Sequence, residues 1–477
     1  MFDTLIGWIN SALWGYVLVY GLLAVGVFFT IRLGGVQFRH FGEMFRVIQK
    51  ARQTDAAGIT PFQALMISLA SRVGTGNLAG VAVALSLGGA GAIFWMWVVA
   101  LLGMATAYAE STLGQLYKTT NEDGEYRGGP AFYIARGLKS RVGAGVFSIA
   151  LLISFGLVFN AVQANTIADA MDTAFNIPKP ATGIVIAILA GVVIFGGIRQ
   201  VARVAGYLVP IMAIVYVLMA VVVLLFNLPA VPGALWQIIS GAFGLNEAAG
   251  GVTGGLMAAL LNGVKRGLFS NEAGMGSAPN IAACATPQPH HPSSQGFVQA
   301  LGVFIDTLVI CTATALMILL SGAFEPGTGA DGIALTQEAL AQFIGPAGPI
   351  FIAVAILLFA FTSIIGNYTY AENTLTYLGL GGHTGRIGLR VALLAMVLWG
   401  SLQTVARVFN TADAAMGIMA TVNLIAIVLL SGIVVKLTKD YFTQRRSGRE
   451  PVFHGNDYPE LADQIETDIW RRGETTQ

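Results

Sequence analysis

The chain has 477 residues, of which 55% are hydrophobic and only 11% are charged. Soluble globular proteins carry about 25% charged residues, so this composition excludes a protein whose surface faces water on all sides. The formal net charge of +1 hides an uneven distribution of charge along the chain. Membrane lipids are therefore expected partners, and nucleic acid is not.

The glycine and cysteine content agrees with a membrane protein. The 59 glycines suit helices that pack closely in lipid, where small residues let backbones approach. Cys284 and Cys311 lie in apolar stretches without metal-binding spacing, which favours two buried reduced thiols over a disulfide. The N-terminus lacks the basic segment and cleavage site of a signal peptide, so we expect its first apolar run to remain as a membrane helix.

The apolar runs predict an all-α membrane protein with eleven transmembrane helices, because about 20 apolar residues cross a bilayer as a helix. The runs lie near 12–32, 62–86, 91–117, 146–173, 181–198, 204–228, 251–285, 297–322, 348–378, 386–406 and 413–436. A short turn is expected between the fifth and sixth runs, around Gly196, Gly197, Arg199 and Arg203. The run 251–285 is the least regular, since polar residues and glycines interrupt it.

The basic residues of the connecting loops indicate the orientation. Most basic residues fall in loops on one side of the membrane, and the loops on the other side carry only Lys179 and Arg407. The main set is Arg32, Arg39, Arg46, Lys50, Arg52, Lys118, Arg127, Arg136, Lys139, Arg141, Arg199, Arg203, Arg386, Arg390, Lys436, Lys439, Arg445, Arg446, Arg449, Arg471 and Arg472. Cytoplasmic loops are enriched in lysine and arginine, so we predict a multi-pass protein of the cell membrane with its N-terminus outside and its C-terminus in the cytoplasm.

Two loops and the tail have a character of their own. The outer loop 229–250 has no lysine or arginine, and the outer loop 323–347 carries Glu325, Asp331 and Glu338. Within it, residues 334–344 predict an amphipathic helix over the outer face, which either acts as a lid or only packs there. The charged tail after about Arg445 is expected to be a solvated appendage.

The spans after the first divide into two sets of five. An odd number per set inserts the second set upside down relative to the first, which is the inverted repeat of many secondary transporters. The predicted organisation is therefore an N-terminal helix and basic loop (1–60), a first repeat (61–228), a second repeat (229–445) and a cytoplasmic tail (446–477).

The first helix of each repeat contains a polar, glycine-rich interruption: Gly-Thr-Gly-Asn at 74–77 and Gly-Met-Gly-Ser at 274–277. Each glycine lowers the stability of a helix by about 1 kcal/mol relative to alanine, so the glycine pairs call for a structural explanation. One reason is close packing between helices. The other is unwinding, which frees N–H groups for an anion and carbonyls for a cation. Interruptions at corresponding places in both repeats favour two broken helices.

Three motifs resemble the alanine/glycine:cation symporter family. They are residues 70–80 (ASRVGTGNLAG), 128–133 (GGPAFY) and 263–279 (GVKRGLFSNEAGMGSAP), and the resemblance covers nearly the whole chain. It implies the leucine-transporter type of fold with one additional N-terminal helix, and a sodium-coupled symporter for alanine or glycine.

A zwitterionic substrate needs donors for its carboxylate and acceptors for its ammonium group. The N–H groups of both interruptions are candidate donors, and Asn160, Gln163 and Asn165 are candidate acceptors, although such amides often only bridge helices. Phe269 and Met275 are expected to line a small side-chain pocket. The predicted substrate-binding residues are Gly74, Thr75, Gly76, Asn77, Gln163, Phe269, Ser270, Asn271, Gly274 and Met275.

The resemblance also implies a sodium site between the first broken helix and a later span. The carbonyls of Ala70, Val73 and Phe359 and the hydroxyls of Thr362 and Ser363 would supply five oxygen ligands, which a hard cation prefers. The hydroxyls of a Thr-Ser pair in a membrane helix often bond only to carbonyls of their own helix. The pair supports a sodium site mainly because it is expected to lie opposite the first interruption.

Ionisable residues inside the spans are also functional candidates. The acidic ones are Glu110, Glu272, Asp306 and Glu372, and the basic ones are Arg72, Lys265 and Arg266. Arg72 is expected to pair with Glu272 or another acid. A charged coupling residue would favour protons, whereas a site of hydroxyls and carbonyls favours sodium.

The predicted function is secondary active import of alanine or glycine, coupled to inward sodium movement by alternating access. A proton-coupled symporter and an amino-acid exchanger on the same fold stay open as alternatives. A channel is disfavoured because no continuous polar lining is evident. An enzyme is disfavoured because His40, His290, His291, His383 and His454 all lie in loops or the tail.

Overall fold

A computed structural model describes residues 2–50, 54–244, 253–324 and 332–470. Several features that the sequence analysis uses lie outside the described residues: Arg52, residues 245–252, Glu325, Asp331, Arg471 and Arg472. Within the described part the chain is almost entirely helical, and its one sheet pairs two short strands.

The first half of the described chain contains thirteen α-helices and both strands, in this order. They are α1 (Phe2–Ala12), α2 (Val19–Arg32), α3 (Val36–Arg39), α4 (Phe41–Lys50), α5 (Pro61–Arg72), α6 (Val81–Gly88), α7 (Gly91–Leu116), β1 (Thr119–Thr120), β2 (Tyr126–Arg127), α8 (Pro130–Gly137), α9 (Arg141–Leu151), α10 (Phe159–Phe175), α11 (Lys179–Ile194), α12 (Gly197–Phe226) and α13 (Val231–Ala242). The π-helical turns Leu13–Leu18, Gly76–Gly80 and Leu152–Val158 lead into α2, α6 and α10.

The second half continues the same pattern. Its helices are α14 (Thr253–Asn271), α15 (Ala278–Cys284), α16 (Pro292–Val303), α17 (Thr312–Ser321), α18 (Ile333–Ile344), α19 (Ala347–Tyr377), α20 (His383–Ser401), α21 (Val405–Leu429) and α22 (Ser431–Arg446). A π-helical turn, Phe304–Cys311, joins α16 to α17. One 3-10 turn, Leu228–Ala230, follows α12, and three follow α22: Gly455–Asp457, Pro459–Leu461 and Thr467–Trp470.

Seven helical stretches of the described chain are long and apolar enough to span a membrane. Two shorter apolar helices, Gly76–Gly88 and Lys179–Ile194, accompany them. The chain is therefore a multi-pass helical membrane protein, while the count of eleven spans stays a prediction. The amphipathic helix over 334–344 is present as α18, and Cys284 and Cys311 are free and buried.

Two predicted boundaries were wrong. Arg199 and Arg203 do not lie in a turn but inside α12, because the chain turns earlier, at Phe195 and Gly196. The last predicted span, 413–436, runs across the end of α21 and into α22. Helix α21 begins earlier because the Thr404 hydroxyl accepts the Arg407 N–H and caps it.

The two interrupted helices lie at the centre of the fold. Helix α5 packs against α12 and α19 on one side and against α15 and α16 on the other. Helix α7, whose residues 103–116 are all buried, packs along α14, α15 and α16. The two interrupted helices also meet at one end, where Ile59 pairs with residues at the end of α15: its N–H donates to the Cys284 carbonyl at 3.0 Å and its carbonyl accepts the Thr286 N–H at 2.9 Å.

The C-terminal tail packs against the protein, contrary to the expected solvated appendage. Phe453 and Trp470 are fully buried, and Leu461 is nearly so. The Trp470 indole N–H donates to the Leu116 carbonyl at 3.3 Å, and the Phe453 N–H donates to the His290 carbonyl at 2.9 Å. Many charged residues lie between these buried apolar residues along the chain. The composition of the tail therefore suggested a solvated segment.

Candidate functional site

The first interruption lies between α5 and α6, where the helix opens for a few residues. Helix α5 starts with a capping box, in which Thr60 and Gln63 bind each other's backbone N–H groups. It ends at Arg72 because Val73 adopts an extended conformation, with ψ of 90°. A Cβ atom on Gly74 would collide with the Ser363 hydroxyl and lie 2.7 Å from Gln163 Oε1. Glycine is needed there because two other helices approach the backbone closely.

The N–H groups of the first interruption are bonded to neutral side-chain amides. The Gly74 N–H donates to Asn77 Oδ1 at 2.9 Å, and the Thr75 N–H donates to Gln163 Oε1 at 2.9 Å. The Thr75 hydroxyl oxygen is buried, and no hydrogen-bond partner reaches it within the described ranges. Buried hydroxyls usually have a hydrogen-bond partner, so the Thr75 hydroxyl is a candidate contact for a polar ligand.

The same unwinding frees backbone carbonyls. In a continuous helix the Ala70 carbonyl would accept the Gly74 N–H, and the Val73 carbonyl would accept the Asn77 N–H. Here the Gly74 N–H turns to the Asn77 side chain, and the Asn77 N–H donates to the Gly74 carbonyl at 3.2 Å. The Ala70 and Val73 carbonyls therefore lose their helical partners.

Helix α19 presents hydroxyls to these carbonyls. The Thr362 and Ser363 hydroxyls both donate to the Phe359 carbonyl, at 2.8 and 3.1 Å. The Ser363 hydroxyl also faces the Val73 carbonyl at 3.5 Å. The side chains of Phe359, Thr362 and Ser363 are fully buried. The structure thus brings together oxygen atoms of Val73, Phe359, Thr362 and Ser363, and the oxygen-rich set suits a hard cation such as sodium.

The second interruption, between α14 and α15, has a different backbone. Glu272, Gly274 and Gly276 have positive φ of 59°, 90° and 81°. The Gly274 and Gly276 N–H groups donate to the Glu110 carboxylate at 3.2 and 3.1 Å. These two N–H groups, which the sequence offered as donors for a substrate carboxylate, thus already bind a carboxylate of the protein.

Asp306 joins the two interrupted helices. Its carboxylate accepts hydrogen bonds from Asn77 Nδ2 at 2.7 Å, from the Ser270 hydroxyl at 2.8 Å and from the Thr307 hydroxyl at 2.7 Å. The Asn271 side chain donates to the Thr307 hydroxyl at 3.2 Å. Asp306 and Glu110 were recognised as ionisable residues in spans, but no sequence signal connected them with the interruptions.

Aromatic rings enclose one side of the site. The Phe269 ring stacks on Phe159, with ring centroids 5.0 Å apart, and lies 5.4 Å from the Phe409 centroid. The Arg266 guanidinium lies over Phe269 and Phe409 and forms an ion pair with Asp413. Such packing leaves little space beside the first interruption. Met275, the other predicted lining residue, is fully buried.

The three amides predicted on the third core helix have different roles. Only Gln163 reaches the first interruption. Asn160 donates to the Phe155 carbonyl at 2.7 Å and accepts from Asn367 at 3.1 Å. Asn165 bridges to α20 and its end by donating to the Gly400 and Gln403 carbonyls at 3.2 and 2.6 Å. These two amides connect backbone and helices, as amides in membranes often do.

Arg72 does not form the predicted ion pair with Glu272. Its Nη1 donates to the Gln299 carbonyl at 3.2 Å, and no carboxylate oxygen of the described chain lies within 4 Å of it. Its guanidinium lies against Gly302, where a Cβ atom would collide with it. Glu272 instead accepts from the Ser71 and Ser277 hydroxyls, at 2.7 and 2.6 Å. Arg72 points towards α16, and the Glu272 carboxylate is therefore hydrogen-bonded by hydroxyl groups instead.

The chain is similar to known membrane transport proteins over almost its whole length. The model of the "Sodium:alanine symporter family" matches residues 1–455. The chain is 49% identical over 464 residues to the amino-acid carrier protein AlsT of Bacillus subtilis, covering 96% of each chain. It is 38% identical over 458 residues to the sodium/alanine symporter AgcS of Methanococcus maripaludis, covering 94% of this chain and 98% of AgcS.

Similarity to solved structures supports the fold. The crystal structure of MhsT in complex with L-phenylalanine superposes with a TM-score of 0.57 at 13% identity, covering 81% of this chain and 99% of MhsT. At that identity the likeness shows the leucine-transporter type of fold alone. The family match over nearly the whole chain, and the two relatives that align end to end, identify a transporter rather than an enzyme. The chain belongs to the sodium:alanine symporter family.

Proposed function

We propose that the protein imports a small neutral amino acid, alanine or glycine, together with sodium by alternating access. The observation that carries this proposal is the set of oxygen atoms around the first interruption. The Ala70 and Val73 carbonyls lose their helical partners, and the Thr362 and Ser363 hydroxyls lie on the facing helix α19. Their oxygen atoms, with the Phe359 carbonyl, form the proposed sodium site.

The substrate site is proposed to lie beside the sodium site. The carboxylate would accept from the N–H groups of residues 74–77, and the buried Thr75 hydroxyl supports a polar ligand at this place. The neutral amides of Asn77 and Gln163 can be displaced from these N–H groups without leaving a buried charge unpaired. Phe269, Ser270, Asn271, Gly274 and Met275 are proposed to complete the wall on the α14 side.

The preference for a small side chain rests on packing and on the family. The stacked rings of Phe159 and Phe269, 5.0 Å apart, close one wall of the site. A bulky substrate would have to displace these rings, whereas alanine or glycine would not. Helix α18 supports the outer half of the first interrupted helix, since the Thr336 hydroxyl donates to the Leu78 carbonyl at 3.0 Å. We propose that α18 acts as the outer lid.

Transport would draw on the sodium gradient across the cell membrane. The electrical part supplies about 2.3 kcal/mol per charge for each 100 mV, before the concentration term. Sodium would stabilise the unwound first interruption in a state that is open to the outside. The outside is the side on which the N-terminus is predicted to lie. Substrate binding would then close the site, and release would follow on the cytoplasmic side.

Uptake in proteoliposomes tests the proposal. We expect the purified protein to take up radiolabelled alanine under an imposed inward sodium gradient, and unlabelled glycine to compete. Replacing sodium by choline or potassium should abolish accumulation. Accumulation driven by a proton gradient without sodium would instead favour a proton-coupled symporter. Sodium-independent exchange against internal alanine would favour an exchanger.

A further inference from the structure

The carboxylate of Glu110 occupies the second interruption. Glu110 lies on α7 and is fully buried. Its Oε1 accepts the Gly274 N–H at 3.2 Å, and its Oε2 accepts the Gly276 N–H at 3.1 Å and Asn423 Nδ2 at 2.8 Å. Two segments that are distant in sequence from each other and from α7 therefore converge on one carboxyl group.

Every hydrogen bond that the described chain makes to the Glu110 side chain is donated to it, which is the pattern that suits a carboxylate. Backbone N–H groups can only donate, and each carboxyl oxygen receives one of them. Three donors to one carboxyl group stabilise its charged form, because hydrogen bonds to the charged form favour that form. The Asn423 orientation agrees, because its Oδ1 accepts the Tyr133 hydroxyl while its Nδ2 donates to Glu110 and to the Gly274 carbonyl.

The backbone of the second interruption is shaped to bind an anion. Gly274 and Gly276 both have positive φ, and their N–H groups point to the same side. Successive N–H groups arranged in this way form an anion-binding concavity. The first interruption differs, because its N–H groups meet the neutral oxygens of Asn77 and Gln163.

We propose that Glu110 is a built-in anion that holds the second interruption in its unwound shape, and that it thereby reserves the first interruption for the carboxylate of the substrate. Glu110 is a positioning residue: it fixes α14, and with it Phe269 and Ser270, through the N–H groups of Gly274 and Gly276. This inference rests on the proposed function for the identity of the substrate, but not for the existence of the anion site.

Chemical rescue tests the proposal in the full-length protein. Glu110→Ala removes the carboxylate and leaves space for a small anion. We expect alanine uptake to fall by about ten-fold or more, and sodium formate to restore much of it. Sodium gluconate at the same concentration keeps sodium and ionic strength constant but is too large to enter. Formate should also raise the thermal stability of Glu110→Ala in detergent and leave that of the wild type unchanged.

Glu272→Ala is the matched control. Glu272 is an equally buried glutamate at the same interruption, but its carboxylate accepts hydroxyls rather than backbone N–H groups. Its variant should not respond to formate. Glu110→Gln keeps the shape and removes the charge, so it should lose transport without responding to formate, because its amide still fills the space.

Two results would overturn the proposal. One is wild-type transport and thermal stability in Glu110→Gln, which would show that no charge is needed. The other is a folded Glu110→Ala, or Glu110→Ser if the alanine variant is not recovered folded, whose stability does not change with formate. The stability measurement does not depend on the substrate, so its failure is distinguishable from a failure of the alanine and sodium assignment in the wild type.

Discussion

The two interruptions of this transporter look alike in sequence and differ in the structure. Each has glycine, one residue, glycine and a small polar residue. At the first, N–H groups bond to the neutral amides of Asn77 and Gln163. At the second, they bond to the carboxylate of Glu110. In the proposed function, the first interruption exchanges these neutral partners for the substrate, while the carboxylate of Glu110 stays bound to the second.

This difference teaches that the two predicted repeats need not share a function. The first interruption has the hydroxyls of α19 beside its freed carbonyls. The second interruption has the positive-φ glycines and the fixed carboxylate. We interpret the first as the ligand-binding element and the second as the support that shapes the opposite wall.

The largest effect is expected from alanine at one glycine of each interruption. Gly276→Ala forces a side chain onto a φ of 81°, which costs about 1–2 kcal/mol, and its Cβ would lie 2.8 Å from Pro130 Cγ and 2.9 Å from Asn423 Cγ. We expect a clear loss of folded protein and of melting temperature in detergent.

Gly74→Ala is the matched partner of that variant. No positive φ opposes it, but its Cβ would displace the Ser363 and Gln163 side chains from the binding elements. We expect it to lose transport while it remains closer to wild type in melting temperature. Equal melting temperatures for the two variants would contradict the assignment of support to the second interruption.

Asn77→Ala should produce the next largest effect. The Asn77 side chain accepts the Gly74 N–H and donates to Asp306, so its removal disturbs the donors of the first interruption and leaves a buried carboxylate short of one partner. Hydrogen bonds to charged groups contribute about 1.5–3 kcal/mol, so we expect alanine affinity to fall by roughly 10- to 100-fold. Equilibrium binding of labelled alanine measures it.

Asn165→Ala is the control for this measurement. Asn165 donates only to the Gly400 and Gln403 carbonyls, which connect two helices away from the interruptions. Its loss should lower stability and leave alanine affinity near the wild-type value. If Asn77→Ala behaves like Asn165→Ala, the role of Asn77 in binding is wrong.

Thr362→Ala and Ser363→Ala should each raise the sodium concentration that gives half-maximal uptake. Each removes one proposed oxygen ligand, and we expect an increase of about ten-fold, the size of one lost charge-assisted contact. Thr369→Ala is the control, because its hydroxyl donates to the Gly366 carbonyl of its own helix at 2.6 Å. Unchanged sodium dependence in both site variants would refute the proposed site.

The smallest effect on transport is expected at Lys118, which lies between the tail and the end of the second interrupted helix. Lys118 donates to the Ala285 carbonyl at 3.3 Å and lies over the rings of Tyr126 and Trp470. Burial lowers the pKa of Lys118 to about 7. The unfolded chain therefore binds more protons between pH 7 and 10, and stability should rise with pH across this window.

Lys118→Met checks this dependence. It should reduce the rise in melting temperature between pH 7 and pH 9, while the sodium and alanine dependence of uptake stay as in the wild type. A wild-type pH profile in the variant would show that the rise comes from other groups. A changed sodium dependence would mean that the tail acts on the first interruption as well.

The sequence alone predicted the membrane class, the family motifs and the positions of both interruptions. Long apolar runs predicted the main spans because hydrophobic length acts locally, within about 20 residues. The glycine pairs at 74–77 and 274–277 marked the interruptions for the same local reason. The tail and the turn near Arg199 were misjudged, since buried anchors such as Trp470 stand among charged residues.

The tertiary structure decided what each interruption binds. Gln163 is 88 residues from Thr75, and Glu110 is 164 residues from Gly274. No local pattern indicates that α10 brings a neutral amide to one glycine motif while α7 brings a carboxylate to the other. The hydrogen-bond partner of each N–H group depends on which helix packs against it. Because a buried N–H group must find an acceptor inside the protein, that packing decides what the interruption binds.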